Sequence, residues 1–279
     1  MKKSIRTIYG ALIDTCNRFN SDLPILENST LNEKFGVAVG EKPRIGERGV
    51  CQYFAIGLKG TDINLGTDGL YETKYREYSP QSAALYGHCP FVIRPLDNDL
   101  TPSERQNYRM RCIVPIAGIQ YVCYYLKKAD LQYANEVLVQ RKLVNGQVSQ
   151  SAWAPELAHL NPVPLLTQPG QVLITGDDYV AASKVLKLEF TPADIQNIME
   201  ACNIIHGSPN KANITEIGLV SGIERQVVFG QGNQSGQYTE AIYAQLTDIL
   251  HSTVSCPNAY MGQTLYVDAG SNEPTLLVS

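Results

Sequence analysis

The run Val137-Leu138-Val139-Gln140-Arg141-Lys142-Leu143-Val144, then Asn145-Gly146, then Gln147-Val148-Ser149-Gln150-Ser151-Ala152-Trp153, is the clearest local signal in the chain. Two β-prone runs flank a dipeptide that tolerates the two positive φ angles of a type I′ turn, the turn whose twist matches that of strands. The reading is an antiparallel hairpin turning at Asn145-Gly146. Upstream, Met110–Ile116 and Ile119–Leu126 repeat the arrangement around Ala117-Gly118, as a second hairpin or bulged pair. Val50–Leu58 and Pro90–Leu96 read as further strands. Downstream, strands are expected at Val172–Thr175 and Val180–Phe190 around the turn Gly176-Asp177-Asp178. Ile214–Val220 with Glu224–Val228 reads as another pair, and Leu265–Asp268 and Thr275–Val278 as short terminal strands. Short turns between consecutive strands imply antiparallel pairing.

Helical periodicity appears in fewer places. Residues 4–19 place apolar side chains at 5, 8, 9, 12, 13, 16 and 19, one face of a helix. Ser79-Pro80 predicts a short helix through Tyr86. Thr101-Pro102-Ser103-Glu104 and Thr191-Pro192-Ala193-Asp194 are helix starts with a hydroxyl cap, and Gly207 closes the second helix. Residues 238–251, with Ile242, Leu246, Ile249 and Leu250, read as one more helix. The expected class is α+β: mainly antiparallel β-sheet, an N-terminal helix and two helices in the C-terminal half. Pro155, Pro162, Pro164 and Pro169 mark residues 154–170 as a connection between an α+β part at 1–153 and another at 171–279.

The 279 residues carry 23 basic and 27 acidic groups, a net charge of −4. The pI near 5.6 argues against a nucleic-acid face spread over the chain. Tyr is abundant, 16 against 6 Phe and 1 Trp, and its amphipathic ring suits half-buried sheets and wet interfaces. Arg6 and Asp14 interrupt the N-terminal apolar run, so no signal peptide is expected, and no window is apolar enough for a transmembrane helix. The seven cysteines, at 16, 51, 89, 112, 123, 202 and 256, are odd in number and lack C-x-x-C spacing. Reduced thiols in a cytoplasm are expected.

No catalytic residue, cofactor or metal is expected. His88-Cys89 is the only adjacent pair of soft ligands, and His159, His206 and His251 are isolated. There is no G-x-S-x-G. Gly230 to Gly236 lacks the spacing and the lysine of a phosphate loop. Asp177-Asp178 reads as a turn, and Asp97-Asn98-Asp99 lacks the Gly and Glu that complete a calcium loop. Two segments, 24–49 and 59–79, have no regular period. Leu23, Ile25, Leu26, Leu31 and Phe35 in and beside the first are candidate interface residues, or a strap over the chain's own core. Tyr71, Tyr75 and Tyr78, with Tyr53 and Tyr86 nearby, are candidates for a partner or sugar platform, or packing on a sheet.

Several stretches together resemble virion structural proteins of large contractile-tailed bacteriophages. They are Asn20 to Asn28 with Leu31 to Phe35, Tyr53-Phe54-Ala55-Ile56-Gly57, and Pro90 to Arg105 with Tyr108-Arg109. Ile214-Thr215-Glu216-Ile217-Gly218-Leu219-Val220 is similar to a strand of tail-fibre and baseplate attachment proteins, although Ser221-Gly222-Ile223-Glu224 replaces the acidic-Gly turn that follows it there. The resemblance implies a non-enzymatic tail component, in the baseplate or alternatively the neck or collar. It would be assembled in the host cytoplasm through contacts with other tail proteins and copies of itself, with no nucleic acid or membrane partner. A carbohydrate-binding module using the Tyr cluster, or an enzyme with a site invisible in sequence, are the readings from other classes.

Overall fold

The computed structural model describes residues 4–65, 67–131, 137–144, 147–231, 234–255 and 261–278. In chain order the strands are β1 (Ser4–Arg6), β2 (Val50–Gly57), β3 (Thr61–Leu65), β4 (Tyr71–Tyr75), β5 (His88–Cys89), β6 (Val92–Pro95), β7 (Tyr108–Ile116), β8 (Ile119–Lys128), β9 (Val137–Val144), β10 (Gln147–Ala152), β11 (Leu173–Phe190), β12 (Asn213–Gln231), β13 (Gln234–Ser255) and β14 (Gln263–Val278). The α-helices are α1 (Ile8–Arg18), α2 (Leu31–Phe35), α3 (Pro102–Arg105) and α4 (Pro192–His206). With 49% strand against 18% helix, the chain is an α+β protein built mostly of antiparallel sheet.

The chain divides into two compact units, residues 1–129 with 189–263, and residues 130–188 with 264–279. The Pro-rich stretch 154–170, expected as a boundary, therefore lies inside the second unit. The first unit holds an eight-stranded sheet ordered β1-β13-β12-β2-β8-β6, with β5 also on β2 and β7 also on β8. Helices α1 and α2 pack on β13, and α4 on β6. Tyr53, Leu31, Tyr78, Met110, Leu126, Val220 and Leu246 meet in its main apolar core. Ala117 and Gly118, at φ 50° and 82°, make the tight β7–β8 turn that the sequence calls for.

Four sequence expectations are corrected in this unit. Residues 238–251 form the middle of β13, not a helix. Bulges on β13 explain the misleading spacing: Leu219 opposes Asp248 but Val220 opposes Leu246, and Ser221 opposes Gln245 but Ile223 opposes Ile242. Tyr243, at φ 54°, sits in the second irregularity. The residues of β13 that reach the main core, Ala241, Ala244, Leu246 and Ile249, are thus spaced three, two and three apart, which imitates a helix. Ser79 to Tyr86 makes turns and no helix, because the Pro80 carbonyl accepts from the Ile8 N–H at 2.8 Å instead of a helical partner. Residues 59–79 contain the antiparallel pair β3–β4, with Leu65 opposite Tyr71. Residues 4–19 begin with β1, paired to β13, before α1 starts behind the Thr7 cap.

The second unit holds a four-stranded sheet ordered β10-β9-β11-β14. Val144 opposes Gln147, so the hairpin forms with a two-residue connection, whose Asn145-Gly146 lies outside the described residues. β11 runs unbroken through Gly176-Asp177-Asp178, where two strands and a turn were expected, and β14 is likewise one strand.

Candidate functional site

Charged residues set within strand runs build a polar cleft in the first unit. Alternation of side chains sends adjacent Lys127 and Lys128 of β8 to opposite faces. Lys127 Nζ meets Asp194, the third residue of α4, at 2.5 Å, and the Asp194 side chain also receives Thr191 and Tyr108 hydroxyls. Lys128 Nζ instead meets Glu224 Oε1 of β12 at 2.7 Å. Arg109 Nη2 reaches the same oxygen at 2.7 Å and the Tyr53 hydroxyl donates to it at 3.0 Å. Burial pushes the Glu224 carboxyl up, but hydrogen bonds and charge from Lys128 and Arg109 outweigh it and hold the group below the usual carboxylate range. Burial, then the Glu224 charge, keeps the Tyr53 hydroxyl protonated as a donor.

Arg109, Lys128, Glu224, Gln226, Gln237 and Tyr238 line most of this cleft, whose volume is about 520 Å³. Behind it, buried Glu240 accepts from the backbone N–H groups of Met110 (2.5 Å), Ala241 (2.8 Å) and Arg111 (3.0 Å). Burial raises the Glu240 pKa against the pull of these donors. Met110 is held at φ 59°, an uncommon value for a residue with a side chain. Asp99 fixes the adjoining wall, accepting from Arg111 Nε (2.9 Å), Arg105 Nη2 (3.0 Å) and the Tyr124 hydroxyl (2.7 Å). The guanidinium carbons of Arg105 and Arg111 lie 5.8 and 6.0 Å from the Tyr238 ring centroid.

Another buried carboxylate, Glu216 of the Ile214–Val220 strand, closes on the chain itself. It accepts from the N–H groups of Gly87 (2.8 Å), Tyr86 (3.2 Å) and Lys59 (3.3 Å) and from the Tyr78 hydroxyl. A family model described as "Family of unknown function (DUF7208)" matches residues 1–279. The chain belongs to this family. No curated protein and no solved structure matches the DUF7208 chain.

The interface candidates of this DUF7208 protein fall into two groups. Leu23, Leu31 and Tyr78 are corrected to interior residues, since each contributes to a core of the chain itself, and Phe35 is half-buried and stacks on Tyr125 at 4.1 Å. The reason is local: a capping box of Thr30 and Glu33 starts α2, and Asn32 ties it to β13 through Ala241 and Ala244. Ile25, Leu26 and Tyr71 are exposed and Tyr75 half-buried. The five tyrosines do not form one platform, because Tyr53 and Tyr78 are interior while Tyr71 is exposed. The cleft residues were not found in the sequence. Their signal was the placing of Arg109, Arg111, Lys127, Lys128, Glu224 and Glu240 inside otherwise strand-like runs.

Burial pushes the Cys51 thiol up to about 11 and the Cys123 thiol to about 12, leaving both as un-ionised packing groups. Among the described residues, no group of three His, Cys, Asp or Glu could hold a metal ion, and no helix is long and apolar enough to cross a membrane.

Proposed function

We propose that the chain is a non-enzymatic structural component of a phage tail, in the baseplate, acting through protein–protein contacts in virion assembly. The observation that carries this reading is an apolar, charge-free surface segment in the second unit. Leu157, Leu160, Val163, Leu165, Leu166 and Val172 are each more than half exposed, and residues 157–176 contain no Asp, Glu, Lys or Arg. Burying each such side chain is worth roughly 1.5–3 kcal/mol before the cost of ordering, and contiguous exposure on this scale marks an interaction surface. The resemblance of residues 20–110 to virion proteins supplies the setting: synthesis in the host cytoplasm, incorporation into the tail, and other tail proteins and further copies as partners.

The arrangement of charge supports the same reading. Asp99, Asp194, Glu216 and Glu240 are committed to internal arginines, lysines or backbone N–H groups, which is what a rigid scaffold needs. The test is a Leu165→Asp, Leu166→Asp double variant expressed during infection. Its far-UV spectrum should match the wild type, and its incorporation into purified particles, read by mass spectrometry, should be lost. Full incorporation would remove the segment from the assembly surface.

A further inference from the structure

We propose that the cleft between Arg109, Lys128, Glu224 and Tyr238 is a saccharide-binding site, accepting a mono- or disaccharide unit. Three features of the lining point there. First, Glu224 uses one oxygen for all three of its donors, Arg109, Lys128 and Tyr53. Its Oε2 accepts no hydrogen bond from the described residues, which leaves an anionic acceptor facing the cleft. Beside it, the Lys128 ammonium has three donors and, among the described residues, commits one to Glu224. A carboxylate with an open oxygen next to a cation with open N–H groups suits neighbouring hydroxyls, one donating and one accepting.

Second, four of the lining residues, Gln106, Asn107, Gln226 and Gln237, are amides. Gln226 of β12 opposes Thr239 of β13, so alternation puts Glu224, Gln226, Gln237 and Thr239 on one face of the strand pair. The Gln226 Nε2 bonds the Thr239 hydroxyl at 2.7 Å, which fixes the amide and turns its carbonyl to other partners. Gln106 and Asn107 add further amides at the rim. Amides both donate and accept, as sugar hydroxyls do. Tyr238 borders the cleft, with its ring against Arg105 and Arg111. Third, the cleft volume of about 520 Å³ lies in the range of small-molecule sites, roughly 300–1,000 Å³.

The chemistry stops at binding. Glycoside hydrolysis uses a pair of carboxyl groups across the scissile bond, and the cleft lining has Glu224 alone, because Glu240 lies behind the wall with both oxygens on backbone N–H groups. This site does not depend on the virion reading and is separate from the Tyr71 and Tyr75 hairpin.

The experiment is a glycan array of hexoses, N-acetylhexosamines and uronates probed with the full chain, followed by saturation-transfer NMR with the free glycan that scores highest. The expected result is binding that a Gln226→Ala, Gln237→Ala double variant weakens about tenfold or more. These side chains are on the surface strand pair, so the variant keeps its fold, to be checked by its melting temperature. Tyr71→Ala, on the far hairpin, should bind like the wild type. No glycan bound by the wild type, binding unchanged in the double variant, or binding lost only in Tyr71→Ala would each overturn the assignment.

Discussion

Replacing Glu216 with Ala takes away one acceptor group shared by four donors. Gly87 N–H at 2.8 Å has the carboxylate as its acceptor, Lys59 N–H leans on it at 3.3 Å, and Tyr86 N–H at 3.2 Å keeps the Tyr78 hydroxyl at 2.9 Å as a second partner. The Tyr78 hydroxyl also loses its acceptor. Counting Gly87 and Tyr78 in full and Lys59 in part, at about 1–3 kcal/mol per stranded buried donor, the loss should be about 2–7 kcal/mol. For a unit of this size that corresponds to a fall in melting temperature of roughly 10 °C. Gly57 gives an independent check. A Cβ there would lie 2.2 Å from Glu216 Oε1 and 2.5 Å from its Cγ, so Gly57→Ala must displace the same carboxylate. Gly57→Ala should therefore cost much less in the Glu216→Ala background than alone, the signature of coupled sites. Calorimetry gives the energies and hydrogen exchange at Gly87 the local effect. A Glu216→Ala protein melting within about 2 °C of wild type, with Gly87 still protected, would refute the clasp.

Three other outcomes follow from the same structure. Leu31→Ala should cost about 2–5 kcal/mol, and residues 24–49 should be protected from exchange in the isolated chain; free exchange there would restore the interface reading of Leu31. A type I′ turn at Asn145-Gly146, as the sequence predicts, needs positive φ at Gly146, where a β-branched residue is strained, so Gly146→Val should destabilise the β9–β10 hairpin by roughly 1 kcal/mol or more; an unchanged melting temperature would exclude that turn. Burial pushes the Asp194 carboxyl up, yet the Lys127 charge and its hydrogen bonds more than compensate and hold it below its usual value. Its stabilisation is then complete above the unfolded value near 3.9 and is lost as pH falls through the lower folded value. Urea midpoints of Asp194→Asn should show a flatter acid limb than wild type; parallel limbs would remove Asp194 from the acid response.

What could be read from sequence was set by chemistry within a few residues. Asn145-Gly146 and Ala117-Gly118 announced hairpins because their turn geometry is local. Thr101 and Thr191 announced helices because each caps its own first turn, Thr191 with Asp194. Many of the misses are long-range. Nothing near Pro80 shows that Ile8 takes its carbonyl, and nothing near Thr247 shows that β12 skips it. The strap of residues 24–49 looked unpartnered because its partners, Ala241 and Ala244, are some 200 residues away. The cleft was hidden for the same reason: Arg109, Lys128 and Glu224 come from three strands, and each alone looks like a solvated charge. Asp97-Asn98-Asp99 looks in sequence like the start of a calcium loop, while Asp99 anchors two arginines and a tyrosine.

The central claim is that this chain works as a packed part of a tail. A cryo-electron-microscopy reconstruction of the purified particle whose genome encodes the chain tests it most directly. The account predicts density for the chain in the baseplate, with Leu157, Leu160, Val163, Leu165 and Leu166 buried against a neighbouring protein. Absence of the chain from intact particles, or its presence with that segment facing solvent, would contradict it.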